Sequence, residues 1–152
     1  PHNTLNLIGS LEDISDCLAE VKRVLVAGGI LILHLFVPDR ELKKHPGKRY
    51  FQFSLFDILP RKKLIKETIR VYTPEKEQLL LEGRYKFRSF NTPEENRNYS
   101  HSLKLAAYPF FTWKQLLENA GFEIISALGD FSDTPFLEER SSTLILKALN
   151  TS

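Results

Sequence analysis

The sequence contains no methionine, one cysteine (Cys17) and only seven glycines among 152 residues. A single cysteine excludes an internal disulfide and a zinc site built on thiolates, and it predicts a reducing, cytoplasmic setting. The longest apolar run, 29–37, is interrupted by His34 and is far too short to span a membrane. The start of the chain lacks a basic segment followed by an apolar one, so the sequence predicts no signal peptide.

The chain also has little net charge. Its formal charge is +2, with 26% charged and 42% hydrophobic residues, which is ordinary for a soluble globular protein. We therefore expect neither nucleic acid nor a membrane surface as a partner. The length is sufficient for one domain with a real core. Because the chain has no methionine and opens at Pro1, we expect it to be either processed or a piece of a longer protein.

The segment 10–25 has the pattern of a well-specified amphipathic helix. Ser10 can cap its start, and Asp13 lies at the spacing of a capping box. Gly28 is expected to supply the left-handed residue that ends the helix. The apolar stripe is formed by residues at spacings of three and four: Leu11, Ile14, Cys17, Leu18, Val21, Val24 and Leu25.

The apolar run after the two glycines predicts a strand over 30–37. It does not alternate with polar residues, which is typical of a central strand in a parallel sheet that is buried on both faces. Gly28 and Gly29 then form the tight connection from the helix to the sheet. A phosphate-binding loop has the order strand, glycines, helix, and here the order is the reverse.

The middle of the chain, 49–108, changes to a two-residue alternation rich in aromatic and β-branched residues. We predict an antiparallel sheet of three or four strands, inserted between the α/β parts 1–48 and 109–152. The predicted strands are 49–57, 64–73, 79–90 and 99–108, with a hairpin turn at 73–78 and a loop at 91–98.

Helical signals return at Thr112. Thr112 and Gln115 lie at capping-box spacing, and Gly121 is expected to end this helix. A strand over 122–130, a loop over 131–136 and a last strand over 141–149 follow. The two strands are predicted to pair as an antiparallel hairpin.

Three ordered segments resemble the class I S-adenosylmethionine-dependent methyltransferases. In "NTLNLIGSLEDISDCLAEVKRVLVAGGILILHLFVPD" the turn "RVLVAGG" is similar to the family's "rvLkpGG" turn between a helix and the fifth strand. "YPFFTWKQLLENAGFEIISALGDF" resembles the family's last helix and sixth strand, and "SSTLILKAL" its antiparallel seventh strand. The resemblance implies the carboxyl-terminal part of a Rossmann-like sheet, strands five to seven, with the antiparallel sheet as a substrate-binding or dimerisation insertion.

The chain departs from the family in one respect that bears on function. Family members open with a strand and a glycine-rich turn that cradles the cofactor, and acidic residues after the second and third strands contact its ribose and adenine. No G-x-G occurs in this sequence. The resemblance therefore implies a methyltransferase parent, with S-adenosylmethionine as cofactor and a small-molecule acceptor. The chain is expected to lack a complete cofactor site and to be inactive alone.

Candidate site residues follow from the rule that ligands bind at the carboxyl ends of strands in open α/β sheets. The rule selects His2, Asn3 and Thr4 after the fourth strand, and 36–39, from Phe36 to Asp39, after the fifth. Asn3 matches an asparagine that often follows the fourth strand in the family, where it would orient substrate or cofactor; a turn cap is the alternative. Asp39 could act as a base or bind a substrate amine, or cap a turn.

The remaining candidates lie mostly in the insertion. His101 is the best histidine candidate for a substrate-facing base, although a structural or solvent role is the simpler interpretation, and His34 is predicted to be neutral in the core. No His, Cys and carboxylate set has metal-ligand spacing. Ten aromatic residues could line a substrate pocket or pack the sheet: Tyr50, Phe51, Phe53, Phe56, Tyr85, Phe87, Tyr99, Tyr108, Phe110 and Phe111.

Two hypotheses on function differ in class. The first is methyl transfer to a small molecule in the parent enzyme. The second is a non-catalytic interaction or dimerisation module, because a fifth strand without its neighbour exposes an apolar edge. We therefore expect a homo-oligomer, formed through that edge or through the insertion. A β-rich domain that binds lipid or another hydrophobe is a third possibility, which the αβ signals at both ends oppose.

Overall fold

The computed structural model describes residues 3–151, which form two antiparallel sheets and three helices. The helices are α1 (Leu11–Val24), α2 (Arg40–Lys44) and α3 (Phe110–Asn119). The strands are β1 (Ile30–Phe36), β2 (Arg49–Leu59), β3 (Lys62–Thr73), β4 (Gln78–Ser89), β5 (Arg97–Ala106), β6 (Phe122–Leu128) and β7 (Thr143–Asn150). Short 3-10 turns occupy Leu5–Leu7, Pro74–Lys76 and Pro93–Glu95.

Helix α1 confirms the sequence prediction at its start and corrects it at its end. Ser10 caps the helix, because its Oγ accepts a hydrogen bond from Asp13 N at 3.1 Å. The helix ends at Val24, one residue before the predicted end at Leu25, since Leu25 already has extended backbone. Gly28, at φ +73°, instead belongs to a turn that Gly29 N closes by donating to Val26 O at 2.9 Å.

Glycine is required at the second position of this turn for a steric reason. A Cβ added at Gly29 would lie 2.7 Å from Leu25 Cγ, so no larger residue fits there without movement. The buried Asn150 completes the connection: its Nδ2 donates to Leu25 O at 2.8 Å, and its Oδ1 accepts from Lys22 Nζ at 2.9 Å. Asn150 thereby satisfies backbone carbonyls that the end of α1 leaves open.

The first sheet has the order β1-β7-β6, and both of its strand pairs are antiparallel. The predicted hairpin of the last two strands is confirmed. The prediction of a central parallel strand buried on both faces is wrong for β1 within the described residues. Strand β1 lies at the edge, and Ile30 and Ile32 are 52% and 62% exposed. Alternate residues of β1 face α1 and α3, and no helix covers the opposite face at Ile30 and Ile32.

The second sheet has the order β2-β3-β4-β5 and is antiparallel throughout, as the alternation in 49–108 predicts. Its division from the rest as a domain stays a prediction. Helix α3 begins at Phe110, two residues before the predicted Thr112, because Pro109 has the extended backbone that precedes a helix. The predicted Thr112 cap is therefore wrong, whereas Gly121, at φ +81°, follows the helix end as expected.

Two apolar clusters hold these layers together. The larger packs α1 and α3 on the first sheet, around Leu18, Trp113 and Leu146, which are fully buried. The smaller joins the two sheets and comprises Phe36, Leu42, Tyr72, Leu79, Leu105 and Ala107. The carboxyl end of β1 and the end of β5 therefore meet in the same part of the molecule.

Candidate functional site

The segment before α1 lies along the carboxyl-terminal half of β1. Asn3 N donates to His34 O at 3.2 Å, and Asn3 has a left-handed backbone at φ +53°, which asparagine tolerates better than most residues. The Asn3 side-chain Oδ1 is buried and has no hydrogen-bond partner among residues 3–151. An unpaired buried acceptor is costly, so Asn3 offers a position where a ligand N–H or ammonium group would be favoured. His2 lies outside the described residues.

A shallow depression of about 250 Å³ runs beside Asn3, along the free edge of β1. It is mainly apolar, and the ring of His34 at its wall makes an edge-to-face contact with Phe131 at 5.1 Å between centroids. His34 is half-buried rather than enclosed in the core. The lining residues are Thr4, Leu5, Ile32, Leu33, His34 and Leu35.

The side chain of Asn6 joins the two sheets by hydrogen bonds to the ends of β1 and β5. Its side chain is fully buried, and its Nδ2 donates to Phe36 O at 2.9 Å and to Ala106 O at 2.7 Å. Its Oδ1 accepts from Phe36 N at 3.0 Å. One amide therefore pairs three backbone groups at the ends of β1 and β5, and sequence reasoning did not single it out.

Phe36 and Asp39, the two candidates at the end of β1 and just after it, both contribute to the fold. Phe36 is 8% exposed and packs between the sheets, against Tyr72 and Leu79, so the structure places it in the core. Asp39 caps α2, because its Oδ1 accepts from Leu42 N at 3.0 Å. The cap that the sequence offered as the alternative for Asp39 is therefore confirmed. Substrate contacts by Phe36 and Asp39 stay predictions.

Tyr108 lies where β5 leads into α3, with its ring in the larger cluster. The ring makes an edge-to-face contact with Trp113 at 5.7 Å between centroids. Burial raises the pKa of the Tyr108 phenol, and the Glu77 carboxylate adds to the rise. The phenol therefore stays protonated through neutral pH. Its contact with a substrate stays a prediction.

The Glu77 carboxylate also affects a second phenol, that of Tyr72. Burial raises the pKa of Tyr72, and Glu77 and Glu75 raise it further. Glu77 has left-handed backbone at φ +44°, and its carbonyl accepts from Ala107 N at 2.6 Å, which joins the β3–β4 turn to the end of β5. Tyr72 and Glu77 were not sequence candidates. The alternation of 64–73 was the signal for Tyr72, whereas nothing local marks Glu77.

His101 lies apart from this region. It is exposed on β5 opposite Gly83, five residues before Ala106, which is about 17 Å along the strand. Its ring stacks on Tyr85 at 5.7 Å between centroids and covers the Gly83 backbone. A Cβ on Gly83 would lie 2.8 Å from both ring nitrogens of His101. The structure thus separates His101 from Asn3, Phe36 and Tyr108, and its role as a base stays a prediction.

The Gly83–His101 pair gives a test of this packing. We expect Gly83→Ala to lower the free energy of unfolding by about 1 kcal/mol, since the new methyl group expels the His101 ring. In a His101→Ala background the same change should be neutral or should stabilise by up to about 1 kcal/mol, because alanine restricts the unfolded chain more than glycine. Urea unfolding of the four variants measures the coupling, and additive effects would contradict the contact.

A further depression lies apart from the region around Asn3 and Asn6. This depression, about 450 Å³, runs along α3 from Phe110 to Glu118 and extends to Ile124 and Thr151. Within residues 3–151 no group of three His, Cys, Asp or Glu side chains is arranged to hold a metal ion. In the same range, every helix is too short or too polar to cross a membrane.

Comparison with known proteins identifies the fold. No family model and no curated protein sequence matches the chain. Among solved structures, an amino pentose methyltransferase of calicheamicin biosynthesis from Micromonospora echinaspora, with S-adenosylmethionine bound, aligns with a TM-score of 0.73. The alignment covers 99% of this chain and 56% of that one, at 16% identity.

Two further solved structures of methyltransferases have a similar fold. An S-adenosylmethionine-dependent methyltransferase from Clostridium acetobutylicum has a TM-score of 0.73 at 13% identity, over 99% of this chain and 56% of its own. A sugar N-methyltransferase from Streptoalloteichus has a TM-score of 0.70 at 13% identity, over 96% and 53%. The chain therefore has the fold of S-adenosylmethionine-dependent methyltransferases and spans about half their length. This is consistent with the carboxyl-terminal part of a class I enzyme, as the sequence resemblance predicts.

Proposed function

We propose that this chain is the carboxyl-terminal part of an S-adenosylmethionine-dependent methyltransferase that acts on a small molecule. The observation that carries the proposal is the alignment of 99% of the chain with the amino pentose methyltransferase. In this assignment β1, β6 and β7 are strands five, six and seven. Strand β7 lies between β1 and β6 and runs antiparallel to both, which fits the reversed last strand that the resemblance implies.

The acceptor is proposed to be an amine of a sugar or a similar small molecule, because two structural neighbours are an amino pentose methyltransferase and a sugar N-methyltransferase. When bound, S-adenosylmethionine supplies a methyl group on a sulfonium: the acceptor lone pair forms the new bond to carbon while the carbon–sulfur pair returns to sulfur. The acceptor then loses a proton to solvent or to a nearby base. The chain's task is to hold the acceptor in line, which is catalysis by proximity and orientation.

The residues present fit the cofactor only in part. Asn3 Oδ1 is a buried acceptor without a partner in the described part of the chain, and it suits an N–H or ammonium donor at the carboxyl end of the sheet. The sequence contains no G-x-G, so it offers no glycine-rich turn for the rest of the cofactor. We propose that the chain alone is inactive and that an additional segment completes the cofactor site.

A second candidate function is a non-catalytic interaction module. The observation in its favour is the outer strand β2, whose exposed large apolar residues include Phe51, Phe53 and Leu55. The fold is compatible with both functions. Only the methyltransferase function requires the binding of S-adenosylmethionine. Cofactor binding is therefore the property that distinguishes them.

Calorimetric titration with S-adenosylmethionine and S-adenosylhomocysteine tests the proposal in two stages. We expect the 152-residue chain to show no micromolar binding of either ligand. The longest polypeptide that the reading frame encodes should bind S-adenosylmethionine, and Asn3→Ala should weaken its Kd about tenfold through loss of one buried hydrogen bond to a charged group. The exposed Asn91→Ala serves as the matched control and should leave the Kd unchanged.

The outcomes separate the two candidates. Micromolar binding by the 152-residue chain would mean that its own residues complete the cofactor site, and the proposed division of the site would be wrong. Absence of binding by both polypeptides would contradict the methyltransferase assignment and favour the interaction module. Binding by the longer polypeptide that Asn3→Ala leaves unchanged would contradict the role of Asn3.

A further inference from the structure

Glu77 has a backbone conformation that does not suit a glutamate. It follows the 3-10 turn Pro74–Lys76 with left-handed backbone at φ +44°, which glycine or asparagine adopts more easily. Only its backbone makes the hydrogen bonds of the turn: Glu77 N donates to Pro74 O at 2.9 Å, and Glu77 O accepts from Ala107 N at 2.6 Å. Strained backbone persists mainly at functional sites, which indicates that the Glu77 side chain has a role besides forming the turn.

The Glu77 carboxylate has no cationic partner in the described part of the chain. The residue is half-buried, and within residues 3–151 its carboxylate takes part in no ion pair and no side-chain hydrogen bond. A partly desolvated carboxylate gains more from a cation than a fully hydrated one, because the local dielectric constant is lower. The vacant partner position therefore favours a cationic ligand.

Two phenols with buried rings lie beside this carboxylate. Tyr72 and Tyr108 are only 6% and 8% exposed. Burial raises the pKa of both phenols, and the negative charge of Glu77 raises it further. Neither hydroxyl has a hydrogen-bond partner among residues 3–151, whereas the hydroxyl of Tyr50 donates to Glu41 O at 3.1 Å. One carboxylate and two phenol oxygens are therefore close together, and all three are available to a ligand.

This cluster adjoins the region that Asn6 holds together. Asn6 Nδ2 donates to Ala106 O at 2.7 Å, and the next residue donates to Glu77 O. Tyr72 belongs to the same apolar cluster as Phe36, the last residue of β1. Ligands of open α/β sheets bind at the carboxyl ends of the strands, and β1 ends here. The cluster therefore lies at the end of the sheet where an acceptor is expected.

We propose that Glu77, together with the phenol oxygens of Tyr72 and Tyr108, binds the protonated amine of the acceptor and selects amine-bearing sugars over neutral ones. An ammonium group has three N–H donors and no acceptor, so it is matched by a carboxylate and two phenol oxygens. Its hydrogen bond to a carboxylate is charge-assisted and about twice as strong as a neutral one. The choice of an amine sugar as the occupant rests on the proposed function.

In this role Glu77 determines specificity and positions the acceptor. The bound ammonium group gives one proton to solvent, which leaves a neutral amine with a free lone pair. That lone pair then forms the bond to the methyl carbon while the carbon–sulfur pair returns to sulfur. Binding of the ammonium form precedes these steps, so it can be measured without the cofactor.

Titration of the 152-residue chain with glucosamine and glucose tests the site. The two sugars differ by an ammonium or a hydroxyl group at one carbon. We expect glucosamine to bind with a millimolar dissociation constant and glucose to bind at least about tenfold more weakly. With carbon-13-labelled tyrosine, glucosamine should shift the nuclear magnetic resonance signals of Tyr72 and Tyr108. The signal of the exposed Tyr99 should stay unchanged.

Conservative variants separate charge from shape. Glu77→Gln keeps the backbone hydrogen bonds and removes the negative charge. It should weaken glucosamine binding about tenfold and abolish the preference over glucose. Tyr72→Phe and Tyr108→Phe should each weaken glucosamine binding about threefold, because each removes one neutral hydrogen bond. Glu94→Gln removes the same charge from an exposed turn and is the matched control, which should leave the dissociation constant unchanged.

Glu77→Gly distinguishes recognition from a purely structural role. Glycine adopts left-handed backbone without strain, so this variant should unfold at the same urea concentration as the unchanged chain or at a higher one. It should nevertheless bind glucosamine as weakly as Glu77→Gln does. A lower unfolding midpoint together with unchanged glucosamine binding would assign Glu77 to the turn alone and would overturn the proposal.

The remaining outcomes distinguish this inference from the proposed function. Glucosamine binding no tighter than that of glucose, or a preference that Glu77→Gln leaves unchanged, would overturn the inference. If the longer polypeptide still binds S-adenosylmethionine in that case, the methyltransferase assignment stands without it. Selective glucosamine binding through Glu77, without S-adenosylmethionine binding by either polypeptide, would support the cation site and contradict the methyltransferase assignment.

Discussion

Asn6→Ala is expected to lower the free energy of unfolding by about 3 to 5 kcal/mol. The reason is that three backbone groups, the N–H and C=O of Phe36 and the C=O of Ala106, lose their side-chain partner in a buried region. Each unsatisfied buried group costs about 1 to 3 kcal/mol, and a water molecule that enters the gap recovers part of this. Urea unfolding followed by circular dichroism at neutral pH measures the change.

The control for Asn6 is another asparagine whose hydrogen bond is exposed. Asn91 accepts from Arg61 at the surface, so Asn91→Ala should change stability by no more than about 0.5 kcal/mol. Asn6→Asp extends the test, because a carboxylate keeps the acceptor of Phe36 N but cannot donate to the two carbonyls. If Asn6→Ala unfolds with the same free energy as Asn91→Ala, the amide does not join the two sheets.

Trp113→Ala is expected to cost about 3 to 5 kcal/mol, the usual range for truncating a large aromatic residue in a core. Trp113 is fully buried on α3, and its ring contacts Tyr108 at the junction with β5. Its Nε1 is buried, and none of the described residues accepts a hydrogen bond from it. Trp113→Phe should therefore cost much less, about 1 to 2 kcal/mol, since it keeps most of the packing and removes an unsatisfied N–H.

The matched control for Trp113 lies on the same helix. Phe111 is 64% exposed, so Phe111→Ala should alter stability by about 0.5 kcal/mol or less. Thermal or urea unfolding followed by circular dichroism suits all three variants, because Trp113 is the only tryptophan and fluorescence is lost with it. Equal losses for Trp113→Phe and Trp113→Ala would mean that Nε1 has a partner that stabilises the fold.

Helices α1 and α3 and most strands follow from local pattern, whereas the short helix α2 was not predicted. The stripe at spacings of three and four and the Ser10 cap predict α1, and two-residue alternation predicts all four strands of the second sheet. These signals are local because side chains repeat every 3.6 or 2 residues along a single element. They misplace the end of α1 by one residue, at Val24, and the start of α3 by two, at Phe110, because the extended backbone of Leu25 and Pro109 decides these boundaries.

The candidate site was less accessible to sequence reasoning. Asn3 and Tyr108 were proposed from the ends of strands and from aromatic content, and the structure brings both to the region that Asn6 holds together. Asn6 itself was missed, because its three hydrogen bonds reach residues 30 and 100 positions away. His101 was grouped with the others, although it lies far along β5.

Sequence pattern alone therefore determines most of the helical and strand segments and the place of the glycine turn. It also shows that the chain resembles part of a methyltransferase. Only the packed structure decides that Phe36 is core and that β2 is the outer strand of its sheet. The physical reason is the distance along the sequence over which each kind of interaction acts. Periodicity and capping act between residues a few positions apart, whereas strand pairing, burial and the Asn6 hydrogen bonds join segments that are neighbours only after folding.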